Sequence, residues 1–160
     1  MTVKFIDAKE ASKIIEDGST VAIDAFISFC LADDIMGEIE SRFIREGHPR
    51  DLNVINVAGI GGDGKDRGIN HFAHKGLMRR FLCSNLSLAN KVYPLIMDNA
   101  FPCFMIPQGV LSHMMRAIAS GKPGVFTEVG MKTFVDPRVD GGRINDAAKE
   151  CDDIPVQLIN

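Results

Sequence analysis

The sequence predicts an α/β fold in which an open, mainly parallel sheet is flanked by helices on both faces. Three observations lead to this fold class. Thr20–Phe29 is an apolar, β-rich run broken only by Asp24, which predicts a buried strand and then a loop, and Leu52–Ala58 predicts a second buried strand. Asp33–Arg45, between them, has apolar residues at helical spacing and ends at Gly47 and Pro49. Strand and helix patterns also alternate along the rest of the chain, which is typical of parallel sheets.

Two further helices follow from capping and turn residues. Asp7 is suited to cap a helix that begins at the next residue, and Gly18 is suited to end it. Val110–Ser120 has one apolar face, and the turn sequence Gly121–Gly124 follows it. We therefore expect a helix near the start of the chain and another after the last strand of the central region.

Shorter patterns predict the elements in between. Pro94 is expected to kink or break one of the helices, because proline lacks the backbone N–H of a helix interior. The predicted elements are a short helix over Phe72–Arg80, a third strand over Phe81–Ser84, a helix over Leu86–Asn99 capped by Asn85, and a fourth strand over Cys103–Ile106.

The end of the sequence is apolar and strand-like. Pro137–Gly142 is predicted to be a loop, and Val156–Ile159 a further strand. Because termini of domains are usually polar and frayed, this pattern leads us to expect that residues 1–160 belong to a longer protein.

Composition narrows the function classes. The 160 residues suffice for one domain, and their 46% apolar and 24% charged content is that of an ordinary globular protein. The net charge of −3 gives no general attraction to nucleic acid or to membranes. The four cysteines are widely spaced, so we expect buried, reduced thiols and a cytoplasmic setting.

The glycine-rich stretch after the second strand is the most informative segment. Gly59–Gly64 matches the dinucleotide pattern G-x-G-x-x-G, but Gly68 and two aspartates oppose the helix that this motif requires, and no acid follows at the required distance. Gly59–Asp66 falls one residue short of a P-loop, because Asp66 replaces the serine or threonine that binds magnesium. The open alternatives are a surface loop without a ligand and a ligand-facing loop of another α/β family.

The topology expected of a parallel sheet brings separate loops together. Ligands of such sheets bind beyond the carboxyl ends of the strands. Asp24–Ala32, Gly59–His71 and Pro107–Gly109 all follow predicted strands, so we expect them to lie close together. In this group, Lys65 and Arg67 are candidates for binding phosphates or a carboxylate, with solvated loop charges as the alternative.

Other candidate residues have ordinary alternatives. The side chain of Gln108 is expected either to face the site or to cap the following helix. His71 and His74 lie three residues apart, but no third ligand at zinc spacing accompanies them, so no metal site is expected.

Four segments together resemble the N-terminal portion of the family I coenzyme A transferases, in particular the acetate/propionate CoA-transferase branch. They are Gly59–His74, Ile106–His113, Ala119–Gly124 and Thr133–Asn145, and they occur in the order found in that family. The resemblance implies an open α/β fold and CoA exchange between short-chain acids of the acetate, propionate and acetoacetate class. Coenzyme A is then a substrate, and no covalently bound cofactor is implied.

The resemblance also implies a ping-pong reaction through a glutamyl-CoA thioester. The nucleophilic glutamate of these enzymes belongs to the second half of the protein, and no matching segment occurs here. Glu128-Val129-Gly130 has the pattern E-x-G but lies in the wrong half. The implied partners are acyl-CoA, short carboxylates and a glutamate-bearing half supplied in cis or in trans, in a homo-oligomer. A binding module with this fold but without catalysis is the alternative, and a phosphate-binding α/β enzyme of another type is a third.

In this half the family has an oxyanion loop with the pattern G-G-F-x-x-x-G-x-P. Here Phe26 matches, whereas the glycines are replaced by Asp24, Ala25 and Cys30, and the proline by Ala32. The resemblance assigns the oxyanion-binding backbone to Ala25 and Phe26. From their place in loops that follow predicted strands, we expect substrate binding by Gly61, Gly62, Lys65, Arg67, Gln108 and Gly109.

Overall fold

The computed structural model describes residues 3–61 and 66–159 of the chain. Its centre is a four-stranded sheet in which each strand pairs with the next in parallel, in the order β1-β2-β3-β4. The strands are β1 (Thr20–Ile23), β2 (Leu52–Asn56), β3 (Met78–Cys83) and β4 (Cys103–Met105). The predicted open, parallel α/β architecture is confirmed.

The helices are distributed over the two faces of the sheet. They are α1 (Ala8–Ser12), α2 (Asp33–Glu46), the 3-10 helix Gly68–Phe72, α3 (Val92–Met97), α4 (Gln108–Ala119) and α5 (Asp146–Lys149). The crossovers that join consecutive strands contain α2, the 3-10 helix and α3. Since such crossovers are right-handed, a sheet built in sequential order carries all three on one face.

Alternating side chains of the strands divide the core into two clusters. Leu52 and Val54 face the cluster that includes Ile39 of α2 and Phe72 of the 3-10 helix. On the opposite face, Leu82 and Phe104 pack with Leu111 of α4, Val135 and Ala148. Both faces are thus covered, as the sequence predicts.

The predictions for α2 and α4 are confirmed with small changes in their bounds, and the prediction for α1 is confirmed in its cap and its start but not in its end. The carboxylate of Asp7 accepts a 2.7 Å hydrogen bond from the amide of Glu10, so Asp7 caps α1 as expected. The helix ends at Ser12, well before Gly18. Gly47 follows α2 with a φ of 74°, a conformation that glycine adopts without strain.

The predicted helix over Phe72–Arg80 is wrong. A 3-10 helix occupies Gly68–Phe72 instead, and β3 already begins at Met78. Gly76, with a φ of 88°, turns the chain into that strand. Parallel pairing with β2 and burial of the side chains outweigh the local helical pattern.

The predicted long helix over Leu86–Asn99 shortens to α3. Pro94 is the third residue of α3, within the first turn, where backbone N–H groups have no partner inside the helix. Proline therefore marks the start of this helix and does not kink it. Asn85 does not cap it, because its side-chain oxygen accepts from the amide of Ser87 in a local turn, at 3.3 Å.

The last predicted strand is also wrong, since Val156–Ile159 has no strand partner in the described part of the chain. Val156 packs on the second core cluster instead. The four cysteines are free as expected, but Cys30 is exposed and not buried. No helix in residues 3–61 or 66–159 combines the length and the apolar character needed to cross a bilayer.

Candidate functional site

The loops that follow β1 and β2 are bonded to each other at the carboxyl edge of the sheet. The amide of Ile27 donates to the carbonyl of Gly59 at 2.9 Å, and the amide of Gly61 donates back to the carbonyl of Ile27 at 3.2 Å. The hydroxyl of Ser28 also donates to the carbonyl of Gly61, at 3.1 Å. The predicted approach of these two loops is therefore confirmed, and the loop after β4 lies at the same edge beyond β3.

Glycine is required by close packing at two positions of the second loop. A Cβ on Gly59 would lie 2.4 Å from the side-chain oxygen of Asn85. A Cβ on Gly61 would lie 2.6 Å from the carbonyl oxygen of Leu88, and the φ of Gly61 is 152°. The glycines thus bring the backbone against the 85–88 segment. No α-helix follows within the described residues of this loop, which agrees with the rejection of both nucleotide motifs.

The two residues assigned to oxyanion binding differ in exposure. Ala25 is buried, whereas the side chain of Phe26 is 56% exposed. The amide of Phe26 donates to the carbonyl of Phe29 at 3.3 Å, and the amide of Phe29 donates back at 2.9 Å. The Phe26 amide therefore already has a partner in the structure, within a turn whose Ile27 has a φ of 57°.

The backbone conformation at Cys30 explains why the family pattern has a glycine at this position. Its φ is 57°, in the left-handed region where side chains other than glycine are strained. Asp24 and Ala25, which replace the other two glycines, do not have positive φ values. Only the third glycine of the pattern is thus required by backbone conformation.

Cys30→Gly is therefore expected to stabilise the protein by about 1 kcal/mol, because it relieves the left-handed strain. Ala25→Gly, in the same loop, is expected to destabilise by about 1 kcal/mol, since it adds freedom to the unfolded chain without relieving strain. Urea denaturation of both variants checks the contrast in sign. Equal effects of the two substitutions would contradict this account of the loop.

Arg67 lies in an ion pair with Asp33 at the start of α2. Its Nε is 3.1 Å from one carboxylate oxygen, and the amide of Gly68 donates to the other at 2.7 Å. Partial burial opposes ionisation of Asp33, but the Gly68 amide, Arg67 and His71 together hold its pKa below the ordinary value. Gly62 and Lys65, the other candidates of this loop, lie outside the described residues.

His71 and His74 both contact one carboxylate. Nδ1 of His71 and Nε2 of His74 each lie 2.6 Å from a different oxygen of Glu40 on α2. Across residues 3–61 and 66–159, no group of three or more His, Cys, Asp or Glu side chains is arranged to hold a metal ion.

Gln108 and Gly109 open α4 at the end of β4, and both are exposed. The residue that precedes the helix is Pro107, and no side chain caps the helix among the described residues. Gln108 therefore lies at the carboxyl edge of the sheet. It does not cap α4, which was the other role expected for its side chain.

Asn56 is a residue that the sequence analysis missed. It ends β2, it is 1% exposed, and its side-chain oxygen has no hydrogen-bond partner among the described residues. Buried oxygens without a protein partner occur where water or a ligand supplies the donor. The sequence feature that could have identified Asn56 is a polar residue at the carboxyl end of an apolar strand.

Glu128 is exposed, and together with Pro107 of the loop after β4 it lines a cavity of about 820 Å³ between α4 and the 122–137 segment, on the second face of the sheet. Leu82 and Ile106 form part of the floor of this cavity.

The family model for coenzyme A transferase matches residues 5–154 of the chain. The chain belongs to the coenzyme A transferase family. This assignment confirms the resemblance carried by the four sequence segments.

The similarity of this chain to individual coenzyme A transferases extends over most of its length. Caffeate CoA-transferase of Acetobacterium woodii is 35% identical over 92% of this chain. Acetate CoA-transferase YdiF of Escherichia coli K12 is 33% identical, also over 92%. The crystal structure of the YdiF apoenzyme from E. coli O157:H7 superposes with a TM-score of 0.85 over 91% of this chain. A thioester complex of YdiF with CoA gives the same TM-score. The chain spans 28% of the length of each of these proteins.

Proposed function

We propose that this chain is the N-terminal portion of an acyl-CoA:carboxylate CoA-transferase that moves CoA between short-chain acids. The observation that carries the proposal is the superposition on YdiF, an enzyme whose structure includes a thioester with CoA. The joined loops at the carboxyl edge of the sheet support it, since ligands of parallel sheets bind at that edge.

Within this proposal, the loop after β2 forms one wall of the thioester-exchange site. Gly61 brings backbone close to the substrate, and Arg67 binds a carboxylate or a CoA phosphate. Only Nε of Arg67 contacts Asp33, and its terminal nitrogens make no hydrogen bond among the described residues, so they can donate to an anion. Gly62 and Lys65 are assigned to the same wall from the sequence alone.

The loops after β1 and β4 complete this half of the site in the proposal. Backbone groups of Ala25 and Phe26 stabilise the oxyanion, while Gln108 and Gly109 bind substrate at the start of α4. Because the Phe26 amide is bonded to Phe29, oxyanion binding requires this turn to open or the neighbouring amide to act.

The nucleophile is proposed to lie outside the 160 residues. A glutamate of a second half, in cis or in trans, attacks the acyl-CoA, and CoA thiolate then forms the glutamyl-CoA thioester. We propose that the complete enzyme is a homo-oligomer of the cytoplasm, a setting that suits the free cysteines.

One observation favours a second candidate, a catalytically inactive module that binds CoA or a carboxylate. The oxyanion loop departs from the family pattern at four positions, and the Phe26 amide is engaged. Such a module would bind one of these ligands without any second half.

The chain alone is expected to show no acetyl-CoA:propionate exchange, because the nucleophile is absent. A chimera that joins it to the part of YdiF beyond the matched region is expected to exchange CoA, and to lose that activity when the glutamate that forms the thioester is replaced. A matched YdiF variant with the same replacement is the control.

The outcomes separate the two candidates. Exchange by the 160 residues alone would contradict the placement of the nucleophile. A folded chimera that binds CoA in calorimetry but never exchanges it would favour the inactive module.

A further inference from the structure

One carboxylate joins α2 to the segment that follows the glycine loop. Glu40 is on α2, and each of its two oxygens lies 2.6 Å from a ring nitrogen, one of His71 and one of His74. The side chains of Glu40 and His71 are only 22% and 11% exposed. Because a carboxylate offers only acceptors, both rings must donate to it.

The same contacts continue towards Arg67. Nε2 of His71 lies 3.5 Å from Oδ1 of Asp33, so the ring is held between two carboxylates. Asp33 in turn accepts hydrogen bonds from the Gly68 amide and from Nε of Arg67. A continuous series of polar contacts thus runs from His74 through Glu40, His71 and Asp33 to the guanidinium.

We propose that Glu40 is a positioning residue. Through its hydrogen bonds with His71 and His74 it holds residues 66–73 against α2, and it thereby fixes the orientation of the Arg67 side chain. The proposal rests on the function proposed above for Arg67. It assigns Glu40 no contact with substrate, since the carboxylate acts through the two imidazoles.

Charged and aromatic side chains surround the two histidine rings. Asp33, Glu40 and Asp66 face His71, and the ring of Phe43 packs against His74 at 5.9 Å between centroids. Asp66 also pairs with Lys91. The pKa of Asp66 is lowered chiefly by the hydrogen bond from Lys91, and to a smaller extent by His71.

Amide hydrogen exchange tests the proposal without any ligand. Glu40→Gln is expected to speed exchange in residues 66–73 by about tenfold, because an uncharged amide replaces both charge-assisted bonds, while β2 and β3 keep their protection. Glu38→Gln is the matched control, since Glu38 is on the same helix and makes no ion pair or hydrogen bond among the described residues. Glu40→Asp, which keeps the charge, is expected to restore part of the protection.

Recovery of protection by Glu40→Asp distinguishes positioning by the carboxylate from a merely structural role. Unchanged exchange in Glu40→Gln, a rise of equal size in every element, or no recovery in Glu40→Asp would overturn the proposal.

The link to function is measured separately in the YdiF chimera. Glu40→Gln is expected to raise KM for acyl-CoA with a smaller effect on kcat. If the chimera does not exchange CoA but its amide hydrogen exchange still responds to Glu40→Gln, the proposed function is contradicted, and the role of Glu40 in holding residues 66–73 against α2 is supported. An active chimera with an unchanged KM would overturn the role of Glu40 in positioning Arg67.

Discussion

Replacement of Gly61 by alanine is expected to destabilise the protein by about 3 kcal/mol, through overpacking and backbone strain together. The new methyl group would lie 2.6 Å from the backbone oxygen of Leu88 and 3.3 Å from the side-chain nitrogen of Asn70. That nitrogen also donates to the Leu88 carbonyl at 2.9 Å, so the clash falls on a hydrogen-bonded contact. The Gly61 backbone cannot move away without losing its bond to Ile27, and the Leu88 carbonyl cannot move without losing its bond from Asn70.

Gly124→Ala is the control for this prediction. A Cβ on Gly124 would meet no atom within 4 Å, and its φ is not positive, so its stability is expected to change by less than about 0.5 kcal/mol. Urea denaturation gives the free energy of unfolding of both variants, and hydrogen exchange shows whether the loss is centred on the joined loops. If both alanines had the same small effect, the close packing at Gly61 would be contradicted.

The parts of the fold that the sequence predicts are those in which local pattern and tertiary packing agree. The apolar residues of Leu52–Ala58 face both core clusters, Leu52 and Val54 one and Ile55 and Val57 the other, so local pattern and packing both favour the strand β2. Asp33–Arg45 has an apolar face, acids in its first turn and a glycine after its end, and α2 appears within one residue of the predicted bounds.

The errors fall where long-range pairing decides the structure. Among residues 72–80, Gly76 is the one local signal against a helix. Only Met78–Arg80 are strand, and they owe that conformation to pairing of β3 with β2. Pro94 predicts a kink or a break because the sequence does not locate the start of α3 at Val92. A proline that is unfavourable in the interior of a helix is tolerated in its first turn.

Only part of the candidate site could be predicted from the sequence. Loops at the carboxyl ends of parallel strands must share an edge, so the approach of residues 24–32 to residues 59–61 could be predicted. The partners of Arg67 and His71 could not be, because Asp33 and Glu40 are more than 30 residues away in the sequence. The left-handed conformation of Cys30 likewise becomes visible only in the structure.

Replacement of Asn145 by alanine is expected to have the largest effect on stability, a loss of about 4 kcal/mol from four hydrogen bonds at about 1 kcal/mol each. Its side-chain oxygen accepts from the amides of Cys103 and Ala148, both at 3.1 Å. Its side-chain nitrogen donates to the carbonyls of Ile96 and Phe101 at 2.9 and 2.8 Å. One buried amide thus joins β4 to α5 and to the end of α3.

Alanine at this position would leave the Cys103 amide and the Phe101 carbonyl without partners among the described residues, in a region that water does not reach, since Asn145 is 7% exposed. The Ala148 amide still donates to the Asn145 carbonyl, and the Ile96 carbonyl still accepts from the Asn99 amide, both at 3.1 Å. Asn90→Ala removes the same amide from an exposed position with no side-chain hydrogen bond among the described residues, and is expected to change stability by less than about 0.5 kcal/mol. Urea denaturation of the two variants gives the comparison. A loss below about 1 kcal/mol for Asn145→Ala would mean that water replaces the missing donors and acceptors, and that the junction of β4, α3 and α5 is open to solvent.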